Sequence, residues 1–403
     1  MYSKDGMRNM RKVLFVISTL DTGGAQRAVS NITTHFPGDY EIDILLNDSQ
    51  SISYPYRGNI FDLGFEPKED KTGLIYQLRV LLRRVLKLRK LKKTGEYLAC
   101  YSFLDSANFA NILSGNKHCK VIASVRSNLS NTAKTMPKYK YIVNPMVKAL
   151  YNRADYVVAV SEGSTRDLNR TFGIKEEKLV TIYNGYDCDE IEKKSQMDIA
   201  PEEKLWFESS TSEPYIIATM GRLGKEKGQN LLIKALAQLL DKYPDRDIRL
   251  LLVGDGAERD NLTNQARDLG VERQVFITGF QDNPFRLLSR CDVFVLPSLF
   301  EGFPNALAEA MICGLPVIGS DCESGMREIL APGTDIDYHT QITEYAEYGV
   351  LVKTGIEDGI VEVVSRFIDE PKIAAEYVKK SVARVRDFSI DSVVKQWAEL
   401  VEK

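Results

Sequence analysis

The residues best suited to chemistry lie in Leu296-Pro-Ser-Leu-Phe-Glu301-Gly-Phe-Pro304-Asn-Ala-Leu-Ala-Glu309. Proline suits the first turn of a helix, because the N–H it lacks is one that a helix start leaves unpaired in any case. Asn305, Ala306 and Leu307 are then expected to offer unpaired N–H groups at a helix N-terminus, a natural anion site. A carboxylate precedes that site and a second follows inside the helix. Glu301 can face a sugar hydroxyl or a developing charge, and Glu309 can accept from two vicinal hydroxyls of a ribose. Two solvated glutamates on an exposed helix fit poorly with such apolar neighbours.

Two further segments have the same character. In Met220-Gly-Arg222-Leu-Gly-Lys-Glu-Lys227-Gly228, a strand pattern gives way to a helix pattern, with an arginine and a lysine five residues apart. A planar guanidinium and a point-charge ammonium at that spacing can converge on two adjacent phosphates, although a solvated charged loop would look similar. Near the N-terminus, Thr19-Leu-Asp-Thr-Gly-Gly24-Ala-Gln-Arg27 places paired glycines between strand and helix. Such a pair lets backbone N–H groups approach an anion, or simply makes a tight turn. The pattern is not G-x-G-x-x-G, which argues against a dinucleotide oxidoreductase.

The elements that must position these residues follow from length and pattern. A chain of 403 residues suggests two or three domains, each able to bury its own core. With 53 Lys and Arg against 56 Asp and Glu, the net charge of −3 excludes a globally basic nucleic-acid binder, and 27% charged residues suit a folded chain. Six cysteines without a C-x-x-C pair and three scattered histidines argue against zinc or redox motifs, so the cysteines are read as small residues of a reducing compartment. No apolar run nears the ~18 residues a membrane span needs. Arg8, Arg11 and Lys12 before Val13–Ile17 imitate a signal peptide, but Asp21-Thr-Gly-Gly24 follows where a cleavage site would stand, so a first strand is expected.

Short β-branched runs alternate with helical stretches twice along the chain, the pattern of α/β folds with parallel sheets covered on both faces. Strands are predicted at 12–18, 40–46, 98–103, 120–124, 156–161 and 179–183. In the second half they fall at 215–220, 248–254, 275–278, 293–297, 316–319 and 349–352. The polar, acidic stretch 187–213 reads as a linker between doubly wound domains at 1–186 and 214–388. A cleft between the carboxyl ends of two such sheets is where ligands bind. A final helix is expected over 389–403, with Val393, Val394, Trp397 and Val401 on one face.

Together, the E-x7-E pair Glu301 and Glu309, Gly221-Arg222 with Lys227-Gly228, the Gly23-Gly24 loop, Val253-Gly-Asp-Gly256 and Asn184-Gly-Tyr-Asp187 resemble the retaining family 4 glycosyltransferases of GT-B architecture, from Lys12 to about Trp397. The resemblance implies two Rossmann-like domains, an N-terminal one for the acceptor and a C-terminal one for a nucleotide-sugar, with the final helix crossing back to the first. It further implies diphosphate binding by Arg222 and Lys227 and ribose binding by Glu309. Glu301, with the backbone of Phe303, Asn305, Ala306 and Leu307, would hold the donor sugar and phosphate. Gly24 would close onto the donor, and the base would rest against Gly254 and Phe280. No cofactor and no metal is implied. The D-x-D strings Asp187-Cys-Asp189 and Asp335-Ile-Asp337 read as solvated loops, and cationic side chains and helix dipoles can stabilise the departing diphosphate instead.

Ser102-Phe-Leu-Asp-Ser-Ala-Asn108 and Ser124-Val-Arg126-Ser-Asn128 resemble a narrower group that extends capsule, O-antigen or lipid-linked glycans. The second departs from that pattern by placing Val125 at the acidic position. Arg126 is the expected contact to acceptor or donor sugar, in a catalytic role or as a phosphate clamp. Arg79 to Lys93 holds eight basic residues and no acidic one. On a helix, Leu81, Val85 and Leu88 share one face and Arg79, Arg83, Lys87 and Lys90 the opposite one. Such a helix can dock an anionic membrane, grip the diphosphate of a polyprenyl-linked acceptor, or solvate a surface. The expected protein is a cytoplasmic retaining glycosyltransferase at the inner face of the cell membrane, moving a hexose or N-acetylhexosamine, from a UDP-sugar, to a hydroxyl of a lipid-linked or surface glycan, with no nucleic-acid partner. The alternatives are a non-catalytic sugar-nucleotide-binding subunit of a glycosyltransferase complex and a non-hydrolysing epimerase. The scarcity of histidine weighs against the epimerase.

Overall fold

The computed structural model describes residues 11–21, 23–65, 73–208 and 213–403. The chain forms two compact units, residues 1–185 with 390–403, and residues 186–389.

The first unit is built on β1 (Arg11–Val16), β2 (Tyr40–Leu46), β3 (Asn59–Asp62), β4 (Tyr97–Phe103), β5 (Lys120–Val125), β6 (Tyr156–Ala159) and β7 (Leu179–Thr181). They form one parallel sheet in the order β3-β2-β1-β4-β5-β6-β7. Val13, Leu14, Phe15, Val16 and Ile17 are all fully buried, because helices cover both faces of the sheet and every residue of a central strand then faces apolar neighbours. The final helix, Ile390–Glu402, packs onto this unit. Its Val393, Val394, Trp397 and Leu400 share a core cluster with Phe15, Tyr101 and Phe103, and the Tyr101 hydroxyl donates to the Trp397 carbonyl at 2.8 Å.

The second unit carries β8 (Tyr215–Met220), β9 (Ile248–Val253), β10 (Val275–Ile277), β11 (Val293–Leu296), β12 (Val317–Ser320), β13 (Glu344–Tyr345) and β14 (Val350–Val352). The order is β10-β9-β8-β11-β12-β14-β13, parallel except for the antiparallel edge strand β13. In both units the strand order reverses direction beside the first strand, between β1 and β4 and between β8 and β11. Crevices outside the carboxyl ends at such reversals are the habitual ligand sites of doubly wound sheets.

The stretch 187–213 differs from its reading as a linker. Its described part folds as two helices, Cys188–Ser195 and Pro201–Glu208, which belong to the second unit. Sparse apolar residues hide them in the sequence, and tertiary contacts hold them. Asn283 Nδ2 donates to the Lys194 carbonyl at 2.9 Å, and Arg286 pairs with the buried Glu203 at 3.0 Å.

Candidate active site

In the second unit the two strands flanking the reversal, β8 and β11, end in the loops that carry the charged motifs. The β8 loop returns through Gly228, whose φ of +66° suits glycine and whose position leaves no room for a side chain. A Cβ there would stand 2.2 Å from the Pro297 carbonyl oxygen. The loops are also joined where the Leu299 N–H donates to the Glu226 carbonyl at 2.8 Å.

This close approach fixes the geometry of the charges. Lys227 Nζ lies 2.7 Å from Glu301 Oε1, and the same oxygen accepts from the buried Ser298 hydroxyl at 2.7 Å. The Ser324 hydroxyl holds the Glu301 carbonyl at 2.6 Å. Glu301 is 9% exposed, so its charge is compensated by an ammonium and a hydroxyl more than by water. An ammonium has three donors, and this bond engages one of them. Arg222 differs, with a side chain 66% exposed and paired to Glu226. Burial would raise the Glu226 pKa, but its own backbone N–H and the Arg222 charge outweigh that and hold the carboxylate below its ordinary range. The Arg222 backbone is pinned by Gln229, whose side-chain amide donates to its carbonyl at 3.0 Å.

The helix after Pro304 runs from Asn305 to Ile312 and encloses Glu309, which is 3% exposed. The expectation of three unpaired N–H groups at its start is corrected. Asn305 N–H donates to the Phe303 carbonyl at 3.0 Å and Leu307 N–H to that of Pro304 at 3.1 Å, because the chain turns tightly before the helix. Ala306 N–H has no backbone acceptor among the described residues. The Asn305 side chain accepts from the Tyr186 hydroxyl at 2.6 Å. The side chains of Phe303 and Leu307 point into the core, Phe303 against Phe388 at 5.5 Å between ring centroids, so these two residues offer only backbone to a ligand.

The turn after β9 closes the site's floor. A Cβ on Gly254 would lie 2.1 Å from the Gly221 carbonyl oxygen, and Gly254 pairs with Gly279 across an isolated bridge. Phe280, next in the chain, is 65% exposed. Beneath the β12 loop, buried Arg327 pairs with Asp321 at 2.5 Å and with Glu344 at 2.7 Å. Burial opposes its charge, and the hydrogen bonds to Glu344 and Asp321 more than reverse this, raising its pKa. Sequence reasoning missed Ser298, Ser324 and this network. Only Ser298, three residues before Glu301, left a signal in its spacing.

The remaining candidates lie in the first unit. Gly24 opens the helix Gly24–His35 after β1, and Arg126 follows β5, so both stand at the carboxyl edge of the first sheet. Arg126 donates to Asn184 and lies 5.9 Å over the Phe103 ring. Arg79, Arg83, Lys87 and Lys90 lie on the helix Leu74–Thr94. Arg79, Arg83 and Lys90 are exposed, with Arg83 over the Phe65 ring at 5.1 Å. Lys87 is half-buried over Phe61 at 5.3 Å, so of the four residues read as the basic face it alone is not fully exposed. Asp187 caps the helix Cys188–Ser195, accepting from Glu190 N–H at 2.9 Å, and Asp335 accepts from Asp337 N–H at 3.1 Å. Among the described residues no three His, Cys, Asp or Glu side chains group to hold a metal.

Two doubly wound units, the second with charged loops at its strand reversal, define a class of two-domain α/β folds whose ligand crevices lie at the carboxyl ends of the strands. Residues 22–190 match the model of Glycosyltransferase Family 4, and residues 202–384 match that of Glycosyl transferases group 1. The chain belongs to the family 4 glycosyltransferases, with the GT-B fold. It is similar to the Campylobacter jejuni N-acetylgalactosamine-N,N'-diacetylbacillosaminyl-diphospho-undecaprenol 4-alpha-N-acetylgalactosaminyltransferase, 29% identical over 94% of this chain and 96% of that one. A second C. jejuni alpha-1,4-N-acetyl-D-galactosaminyltransferase, acting on a GalNAc-containing diNAcBac-PP-undecaprenol, is 24% identical over 97% and 98% of the two chains. Among solved structures, Anabaena HepE in complex with UDP and glucose shares the fold with a TM-score of 0.72, at 20% identity over 97% and 99% of the chains.

Proposed function

We propose that this glycosyltransferase moves a hexose or N-acetylhexosamine, with retention of anomeric configuration and without a metal ion, from a UDP-sugar to a hydroxyl of a glycan carried on a polyprenyl diphosphate. The observation that carries the reading is the cluster at the β8–β11 reversal, where Lys227 and Glu301 are locked together beside a solvent-facing Arg222. Lys227 keeps two donors for a phosphate oxygen, and the Arg222 guanidinium can exchange Glu226 for the diphosphate. When the bond between the anomeric carbon and the diphosphate breaks, charge builds on the leaving oxygen. The Lys227 ammonium held by Glu301, the Arg222 guanidinium once exchanged onto the diphosphate, and the Ala306 N–H then stabilise it. Glu301 faces the sugar, Glu309 takes the ribose hydroxyls, and the Gly254 turn with exposed Phe280 receives the base. Arg126 serves the acceptor in the first unit. The undecaprenol-linked substrates in the names of both C. jejuni relatives support the acceptor class, and the UDP bound by HepE supports the donor.

The test is transfer itself. The enzyme is incubated with UDP-sugars and a polyprenyl-diphosphate-linked acceptor, with chelator present, and the linkage is read by proton NMR. A product of the donor's own anomeric configuration is expected. An inverted linkage, or transfer only with added divalent metal, would overturn the corresponding part of the proposal.

A further inference from the structure

The helix Leu74–Thr94 turns Arg84 and Lys92 inward, and they meet opposite ends of one neighbouring helix, Asp105–Ser114. Lys92 donates to the Asn111 and Gly115 carbonyls at 3.1 and 2.9 Å. Carbonyls at a helix C-terminus carry partial negative charge, so this buried ammonium is compensated where it stands. Arg84 lies at the other end, fully buried, where its Nη1 donates to the Ser106 hydroxyl in the first turn at 3.0 Å. A helix N-terminus is positive, so this cation is set against the dipole.

No carboxylate makes up the difference. The other acceptors of Arg84 are neutral: Asn47 Oδ1, from Nε at 3.2 Å, and the Ser18 hydroxyl, from Nη2 at 3.3 Å. Asp105 gives its carboxylate to the Tyr139 and Tyr151 hydroxyls at 2.8 and 3.4 Å, and Asp48 accepts from the Gln50 N–H at 2.8 Å. Burial pulls the Arg84 pKa down to about 10, and no neighbouring charge raises it again. The guanidinium is still charged at neutral pH, and a buried charge without an opposite one is costly. Each of its three partners turns an oxygen inward, so their hydrogens point the other way. Among the described residues, the Ser18 and Ser106 hydroxyls and the Asn47 amide donate no hydrogen bond. Ser106 is exposed, and Ser18 and Asn47 are half-buried, so these donors face solvent. They also stand together at the carboxyl edge of the first sheet. Ser18 follows β1, Asn47 follows β2 and donates its backbone N–H to the Ser18 carbonyl at 2.9 Å, and Ser106 follows β4. This is the first unit's own strand reversal.

From this geometry we infer that the first unit has an anion site of its own, in which the Ser18 and Ser106 hydroxyls and the Asn47 amide bind a phosphoryl group over the buried Arg84. The guanidinium does not touch the ligand. It supplies the charge, and the three neutral groups carry that charge to the surface, because a group that accepts from a cation is a stronger donor on its far side. A phosphoryl group brings three acceptor oxygens to donors from three chain segments, where a planar carboxylate brings two. A neutral sugar would satisfy the donors and leave the buried charge uncompensated. The outer basic face of the helix takes no part, and no residue of the donor site is used, so the inference stands independently of the donor reading.

The experiment is titration calorimetry of the full chain with inorganic phosphate and, separately, with geranyl diphosphate, at constant ionic strength in chloride and with excess UDP present to fill the donor loops. The variants are Ser106→Ala, Ser18→Ala combined with Ser106→Ala, and Ser106→Thr, which keeps the hydroxyl. Circular dichroism confirms the fold of each. The native chain is expected to bind one phosphoryl ligand. Ser106→Ala should weaken that binding about tenfold and the double variant about a hundredfold, as hydrogen bonds to a charged group require, with Ser106→Thr close to native. Binding of phosphate itself would identify a free anion as the ligand, and binding of geranyl diphosphate alone a phosphoryl group carried on a larger molecule. No binding of either by the folded native chain, or binding that the serine substitutions leave unchanged, would overturn the site. If the double variant does not fold, Ser106→Ala decides, since its position is exposed. Serine-dependent binding in a chain that fails to bind UDP would count against the donor reading alone.

Discussion

The ion pair between Lys227 and Glu301 makes an asymmetric prediction. Replacing Lys227 with methionine keeps the aliphatic stem and leaves Glu301, 9% exposed, with the Ser298 hydroxyl as a donor in place of an ammonium. Removing one partner of a fully buried pair costs ~3–5 kcal/mol. Here the lysine side chain is 23% exposed, so water reaches the carboxylate once the ammonium is gone, and about 2–3 kcal/mol is expected. Glu301→Gln should cost about 1 kcal/mol, since the freed lysine can turn to solvent and the amide oxygen still accepts from Ser298. The double variant, lacking both charges, should be more stable than Lys227→Met alone, a coupling of about 1–2 kcal/mol. Differential scanning calorimetry reads this as a fall of about 4–12 °C for Lys227→Met in the transition of the second unit. Equal losses in the two single variants, or strict additivity in the double, would refute the claim that the pair compensates a buried charge.

Two other outcomes follow from particular residues. Burial raises the Asp105 pKa above its ordinary 3.8, with the Tyr139 and Tyr151 hydroxyls pulling it partly back. A carboxyl whose folded pKa is raised adds stability that is complete below the unfolded value and is lost as pH rises through the folded one. Asp105→Asn should therefore gain on the native chain between about pH 4 and about pH 7, as measured by urea denaturation at both. Gly228→Ala places a Cβ in a left-handed conformation against the Pro297 carbonyl, adding a clash to the ~1–2 kcal/mol of the conformation itself. It should lower the melting temperature and weaken UDP binding together, and loss of one without the other would separate the loop's shape from its role.

Most of the fold was legible because buried strands of a parallel sheet can only be apolar. Twelve of the fourteen strands coincide with β-branched runs in the sequence, within a residue or two at their ends. The two missed, β3 and β13, are edge strands of four and two residues with half-exposed side chains, so no apolar run announces them. The helices in 188–208 were hidden for the opposite reason, since one is held by a buried glutamate that finds its arginine 83 residues away. The charged loops announced an anion site, but not that Lys227 and Glu301 would meet each other across 74 residues. Pairing at that separation is a property of the β8–β11 reversal and has no local signature. The faces of the basic helix were legible in Leu81, Val85, Leu88, Arg79, Arg83 and Lys90, but a count of polar and apolar positions cannot show that Arg84 and Lys92 turn inward while Leu78, Leu82 and Leu86 turn out.

The central claim is that the loops at the β8–β11 reversal hold the donor diphosphate. Titration calorimetry of UDP against the native chain and against Arg222→Ala tests it most directly, because an exposed arginine can be removed without disturbing the core. Loss of a charge-assisted contact to the diphosphate should weaken UDP binding about ten- to hundredfold at unchanged melting temperature. Equal affinity in the two proteins, or no UDP binding by the folded native chain, would contradict the account.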